Sequence, residues 1–163
     1  MIARLEGRLA EKGPESVLVD VRGVGYDVRV PLSTFLALPD PGKTVRLRIH
    51  TYVREDTLAL YGFLTDQERL VFGLLLGING VGPRLALAIL SGLPAERLGD
   101  VVRRGDTAAL RAIPGVGAKT ADRMLGELRD KVERSGAAPE QAPPSGVEDQ
   151  ALSALIEDIY QRS

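Results

Sequence analysis

Ile78-Asn79-Gly80-Val81-Gly82-Pro83-Arg84-Leu85-Ala86 and Ile113-Pro114-Gly115-Val116-Gly117-Ala118-Lys119-Thr120-Ala121 are two versions of one pattern, thirty-five residues apart. Each sets a Gly-Val-Gly turn between two stretches of helical periodicity. In each, a basic residue, Arg84 or Lys119, follows the second glycine by two positions. Glycine reaches φ > 0 without penalty and carries no side chain to hold a phosphate away. The helix after such a turn starts at once, so its unpaired N–H groups and positive dipole end face outward, ready for an anion. One Gly-x-Gly between helices is usually a plain turn. Here Ile, Gly, Val, Gly, Ala and Leu recur at the same offsets over 78–90 and 113–125, which marks one structural unit used twice.

The doubled unit resembles the helix-hairpin-helix motif of proteins that bind DNA without reading its sequence. Two such turns would clamp two points along a phosphate backbone. They do not suit a nucleotide. A P-loop needs Gly directly before Lys, where Ala118 stands; no glycine lies five before Gly117, where Ala112 stands, and no strand feeds the turn either. The Rossmann spacing would require a third glycine at Leu85. Neither ATP hydrolysis by this chain nor a bound cofactor is expected.

Outside the repeat, the 163 residues are 44% hydrophobic, enough to bury a core in one or two small domains. No run approaches the ~18 apolar residues of a membrane span, and Met1–Glu6 lacks the apolar stretch of a signal peptide. With no cysteine and one histidine, disulfides, thiolate metal sites and cysteine nucleophiles are excluded. A soluble cytoplasmic protein without membrane contact or a metal site is the expectation. The net charge of −1 is unevenly placed. Residues 1–63 carry 9 Lys+Arg against 8 Asp+Glu, residues 64–135 carry 11 against 9, and residues 136–163 carry 1 against 5. Binding to DNA therefore depends on how basic groups are placed, or on several subunits adding their fields.

The first sixty residues read as five short strands, Ile2–Arg8, Ser16–Val21, Val24–Val30, Val45–Tyr52 and Leu58–Phe63. Five strands suggest a small closed barrel, the OB-fold first among the candidates, with an unrelated five-stranded barrel left open. From Thr65 the period becomes helical. Thr65-Asp66-Gln67-Glu68 has capping-box spacing ahead of Leu70–Leu76. Further helices fit Arg84–Ser91, Ala95–Arg103, Thr107–Ala112 and Lys119–Arg134, with Pro83 and Pro94 in first turns. Leu85, Leu87, Ile89, Leu90, Leu98, Val101, Leu110, Met124 and Leu128 read as core. Ser135–Gly146 has linker composition, and Val147–Gln161 offers one last helix with the apolar stripe Val147, Ala151, Leu152, Leu155 and Ile159.

The expected architecture is α+β and multi-domain. An OB-fold barrel (1–63) precedes an all-α tandem helix-hairpin-helix domain (64–135), a flexible linker (136–146) and a short, incomplete C-terminal helical segment (147–163). This order resembles the RuvA family of bacterial Holliday-junction-binding proteins. The stretches that carry the likeness are Met1-Ile2, Gly23–Val28, Val53-Arg54-Glu55-Asp56, Leu60-Tyr61-Gly62-Phe63, Asn79–Pro83, Leu85–Gly92 and Pro114–Gly117. The resemblance implies a homotetramer, alone or as two facing tetramers, that holds a four-way junction open. It also implies recruitment of the RuvB ATPase for branch migration in recombination and repair, with the RuvC nuclease acting on the same junction.

Carried over residue by residue, Asn79, Gly80, Gly82 and Arg84 form one phosphate site, and Gly115, Gly117, Lys119 and Thr120 the other. Arg123, one turn after Lys119 on the same helical face, is added to the second. Ala118 departs from the family, whose members often carry a second basic residue there. Glu55-Asp56, between two strands, reads from the residues alone as a solvated turn. The resemblance makes it an acidic pin at the tetramer centre, where repulsion of phosphates guides strand separation without chemistry. It also places a three-helix RuvB-binding module at the C-terminus, here reduced to Val147–Gln161 with Leu152, Leu155 and Ile159 as contacts.

Two other functions compete. A nuclease or glycosylase on the same hairpins needs a metal-binding carboxylate cluster or a base pocket, for which the acidic pair is the sole candidate. A general single-strand-binding OB protein needs stacking aromatics, and the chain has no Trp, 3 Phe and 4 Tyr. The favoured reading has no catalytic residue of its own.

Overall fold

The computed structural model describes residues 1–134. The chain divides into two compact units, Met1–Gly73 and a second from Leu74 onward.

The first unit is built on β1 (Arg4–Lys12), β2 (Ser16–Val21), β3 (Val24–Arg29), β4 (Thr44–Arg54) and β5 (Thr57–Phe63). They close into a barrel in the order β1-β2-β3-β5-β4, with β4 returning to β1. All pairings are antiparallel except β3 with β5. Alternation along each strand sends Leu5, Leu9, Val17, Val19, Val28, Val45, Leu47, Ile49 and Leu60 into one apolar core. The five-stranded barrel expected from the sequence is thus present, with one displaced strand. The first strand starts at Arg4 rather than Ile2 and runs on to Lys12, past the expected Arg8. It serves two partners, β4 through Arg4–Arg8 and β2 through Arg8–Lys12, and a bulge between Leu9 and Glu11 bends it from one to the other.

Between β3 and β4 lies a helix absent from the sequence expectation, α1 (Leu32–Ala37), entered through Pro31. α2 (Asp66–Leu76) begins with the expected capping box. The Glu68 N–H donates to Thr65 Oγ1 at 3.1 Å, and the Thr65 N–H donates to Glu68 Oε2 at 3.2 Å. Phe72, fully buried, anchors this helix to the barrel, with its ring centroid 4.9 Å from Tyr61 and 5.0 Å from Phe63.

The second unit holds the end of α2 and α3 (Pro83–Gly92), α4 (Ala95–Arg104), α5 (Thr107–Arg111) and α6 (Ala118–Arg134). Pro83 occupies the first turn of α3 as expected, whereas Pro94 is the N-cap of α4, one step outside it. Asp106 caps α5 by accepting from the Ala109 N–H at 3.0 Å. Of the expected core, Ile89, Leu90, Leu98, Val101, Leu110, Met124 and Leu128 are buried, but Leu85 and Leu87 are half-buried. Both lie on the flanks of α3, outside the stripe formed by Ala86, Ile89 and Leu90. The segments 136–146 and 147–163, with Leu152, Leu155 and Ile159, lie outside the described residues.

Candidate nucleic-acid interface

The two Gly-Val-Gly turns have the same backbone. Gly80 has φ +89° and Gly115 φ +90°, the left-handed region that glycine alone enters without strain. In the first turn Ile78 N–H donates to Leu75 O at 3.0 Å and Val81 N–H to Ile78 O at 3.0 Å. In the second, Ile113 N–H donates to Leu110 O and Val116 N–H to Ile113 O, both at 3.1 Å. Each following helix is joined in the same way, Ala86 N–H to Gly82 O and Ala121 N–H to Gly117 O, both at 2.9 Å. The apolar positions Ile78, Val81 and Ala86, and their counterparts Ile113, Val116 and Ala121, are buried and fasten the turns to the core. The glycines themselves are exposed.

What these turns present outward is a set of unpaired donors. Gly82, the N-cap of α3, makes no side-chain capping bond, and no acidic residue stands in the first turn of α3 or α6. Among the described residues, no acceptor takes the N–H of Gly80, Gly82, Arg84 or Leu85, nor that of Gly115, Gly117, Ala118, Lys119 or Thr120. Arg84 and Lys119 are exposed and have no ion-pair partner among the described residues. A methyl group added at Gly82 or Gly117 would meet nothing within 4 Å, so both glycines leave open space above the backbone. Bare N–H groups, the helix dipole and a nearby cation are the components of a phosphate-binding turn.

The structure brings Asn79, Gly80, Gly82 and Arg84 together on one turn, and Gly115, Gly117, Lys119 and Thr120 on the other. Arg123 departs from that grouping. Its Nη1 donates to the Asn79 carbonyl at 3.2 Å, across from α6 to the first turn. Sequence spacing sets it beside Lys119, and only the packing of one repeat on the other shows the cross-contact.

Glu55 and Asp56 form the two-residue connection between β4 and β5, with Arg54 opposite Thr57. Both are exposed, and neither has an ion-pair partner among the described residues. Thr57 Oγ1 donates to Asp56 Oδ1 at 3.0 Å. No group of three or more His, Asp or Glu side chains placed to hold a metal ion occurs among the described residues. Phe63, Phe72 and Tyr61 are buried, and Tyr26, Phe35 and Tyr52 half-buried, so these rings pack within the barrel unit. No helix among the described residues is long and apolar enough to cross a membrane.

Residues 1–62 match the family model for the RuvA N terminal domain, and residues 72–130 the SAM-like Helix-hairpin-helix tandem. A protein of Solibacter usitatus is 52% identical over 98% of this chain and 79% of its own length. Relatives from Syntrophotalea carbinolica and Geobacter sulfurreducens are 49% and 44% identical over the whole chain and 85% of their own length. All three are named Holliday junction branch migration complex subunit RuvA. The chain belongs to the RuvA family.

Proposed function

We propose that this chain is the non-catalytic, junction-binding subunit of a branch migration complex. It recognises four-way DNA, holds it open and delivers it to a RuvB-type ATPase, in the cytoplasm, during recombination and repair. The observation that carries this reading is the pair of matched turns, each with bare N–H donors and an exposed cation. Such turns grip phosphates and read no base, so they suit DNA recognised by shape.

The barrel domain, 1–63, carries the Glu55-Asp56 pin, and the hairpin domain, 64–135, carries the clamps. Four copies assembled around a junction, as one tetramer or two facing ones, would cluster eight carboxylates at the crossover. There they repel phosphates and disfavour a continuous duplex. The competing enzyme reading finds no metal-binding cluster to work with among the described residues. The single-strand-binding reading finds no fully exposed aromatic ring among the described residues.

The test is a gel shift comparing a four-way junction with linear duplex of equal length over a range of salt. The junction should bind more tightly, and scrambling its arm sequences should leave affinity nearly unchanged. Arg84→Ala with Lys119→Ala should weaken binding at low salt and lower the slope of log K against log salt by about 2, near 0.9 for each phosphate no longer neutralised. An unchanged slope would put these residues away from phosphates. Cleavage of DNA by the purified protein with magnesium would favour the nuclease reading.

A further inference from the structure

The two turns share a backbone but not their surroundings. The left-handed glycine of each turn, Gly80 or Gly115, is abutted by a side chain from the opposite repeat. A Cβ on Gly80 would lie 3.2 Å from Arg123 Nη1, and a Cβ on Gly115 would lie 3.3 Å from Leu85 Cδ1. The first turn is therefore backed by a guanidinium and the second by a hydrocarbon. The repeat does not dictate this. At the offset of thirty-five residues, Arg123 corresponds to Ala88 and Leu85 to Thr120.

Arg123 is exposed, and its bond to the Asn79 carbonyl is its sole hydrogen bond or ion pair among the described residues. A guanidinium carries five N–H donors in a planar fork. With Nη1 given to the carbonyl, the edge made by Nε and Nη2 stays free, and that edge matches two phosphate oxygens. We propose that Arg123, although carried by the helix of the second hairpin, is a positioning and binding residue of the first clamp. It fixes the Asn79–Gly80 turn and offers its free edge to the phosphate that this turn holds.

This rests on the phosphate-clamp reading above and makes the two clamps chemically unequal. The first has two cations, Arg84 and Arg123, but lacks one backbone donor, because Pro83 has no N–H. The second has Lys119 as its cation and an N–H at Ala118, the position that matches Pro83. Because the first clamp draws a residue from α6, the spacing between the two phosphate sites is set by the packing of the repeats. A lysine at 123 cannot do both tasks, since a single ammonium has no second planar edge.

Ethylation interference on a four-way junction distinguishes the clamps. Phosphates whose ethylation ceases to interfere in Arg84→Ala belong to the first clamp, and those relieved in Lys119→Ala to the second. Arg123→Gln should relieve the phosphates of the Arg84 set and weaken junction binding about tenfold, the usual effect of losing one charge-assisted bond. Arg123→Lys, which keeps the charge, should recover only part of that loss. Thermal unfolding of both variants near that of the wild type would show that the clamp, not the fold, is affected. Relief confined to the Lys119 set, or full recovery by lysine, would overturn the proposal. If neither Arg84→Ala nor Lys119→Ala relieves any phosphate, the clamp reading itself falls, a result distinct from Arg123 belonging to the wrong set.

Discussion

Arg54 donates from Nε to the Tyr52 hydroxyl at 2.8 Å and sets its guanidinium 5.2 Å from the centre of the same ring. The cation next in sequence to Glu55 is thereby held along its own strand. The turn it precedes keeps two carboxylates at the tip of a hairpin, neither with an ion-pair partner among the described residues. Were Arg54 paired with Glu55 or Asp56, half of their charge would be offset and the repulsion of phosphate would weaken accordingly.

Glu55→Gln with Asp56→Asn removes that charge and keeps the shape. Affinity for plain linear duplex should rise severalfold at low salt, and bases at a junction's crossover should react less with single-strand reagents. The gain should fade as salt screens the wild-type repulsion. Unchanged duplex affinity together with unchanged crossover reactivity would leave the pair as a solvated turn.

His50 supplies a pH dependence whose sign follows from its place against α2. Burial, and secondarily the charge of Arg69, holds its pKa below the ordinary 6.5, and its ring meets Phe72 edge-on at 5.2 Å. The unfolded chain therefore takes up the proton more readily than the folded one. The stability associated with neutral His50 is complete above pH 6.5 and is lost as pH falls through the lower folded value. Denaturant midpoints between pH 7.5 and 5 should fall in the wild type, and fall less in His50→Gln. Parallel curves would remove His50 as the cause.

The helix start at Thr65 gives a sharper test of local chemistry. Thr65→Ala deletes one half of the reciprocal bonding with Glu68 and should cost about 1 kcal/mol. Thr65→Ser should restore most of it in the same urea titration. An alanine variant as stable as the wild type would mean that solvent replaces the box at no cost.

Legibility from the sequence follows the range of the interactions. The strands of the barrel, the capping box and the two turns are set by alternation, side-chain reach over three residues and glycine conformation, all local properties. β1 overruns its expected end because a bulge lets it change partners at Arg8, and pairing is not local. The six-residue helix after Pro31 has too few turns for a periodic signal. Spacing along one helix sets Arg123 beside Lys119 but cannot show its bond to the Asn79 carbonyl, because it says nothing of how one repeat lies on the other. The same reason hides the half-buried state of Leu85, whose tip lies against Gly115.

The four turn glycines separate stability from binding. Gly80→Ala and Gly115→Ala place a Cβ on left-handed backbone, at about 1–2 kcal/mol each, and crowd Arg123 or Leu85. Both should unfold earlier and bind junctions less well. Gly82 instead has φ −91°, and neither Gly82 nor Gly117 has an atom within 4 Å of an added Cβ. Alanine there loses a little N-cap preference but restricts the unfolded chain, so stability should stay within about 0.5 kcal/mol. The methyl group would still stand where a phosphate must approach the N–H groups. Junction affinity should therefore fall severalfold in Gly82→Ala and Gly117→Ala while unfolding midpoints hold. Full affinity in both would mean that no phosphate comes close to these turns.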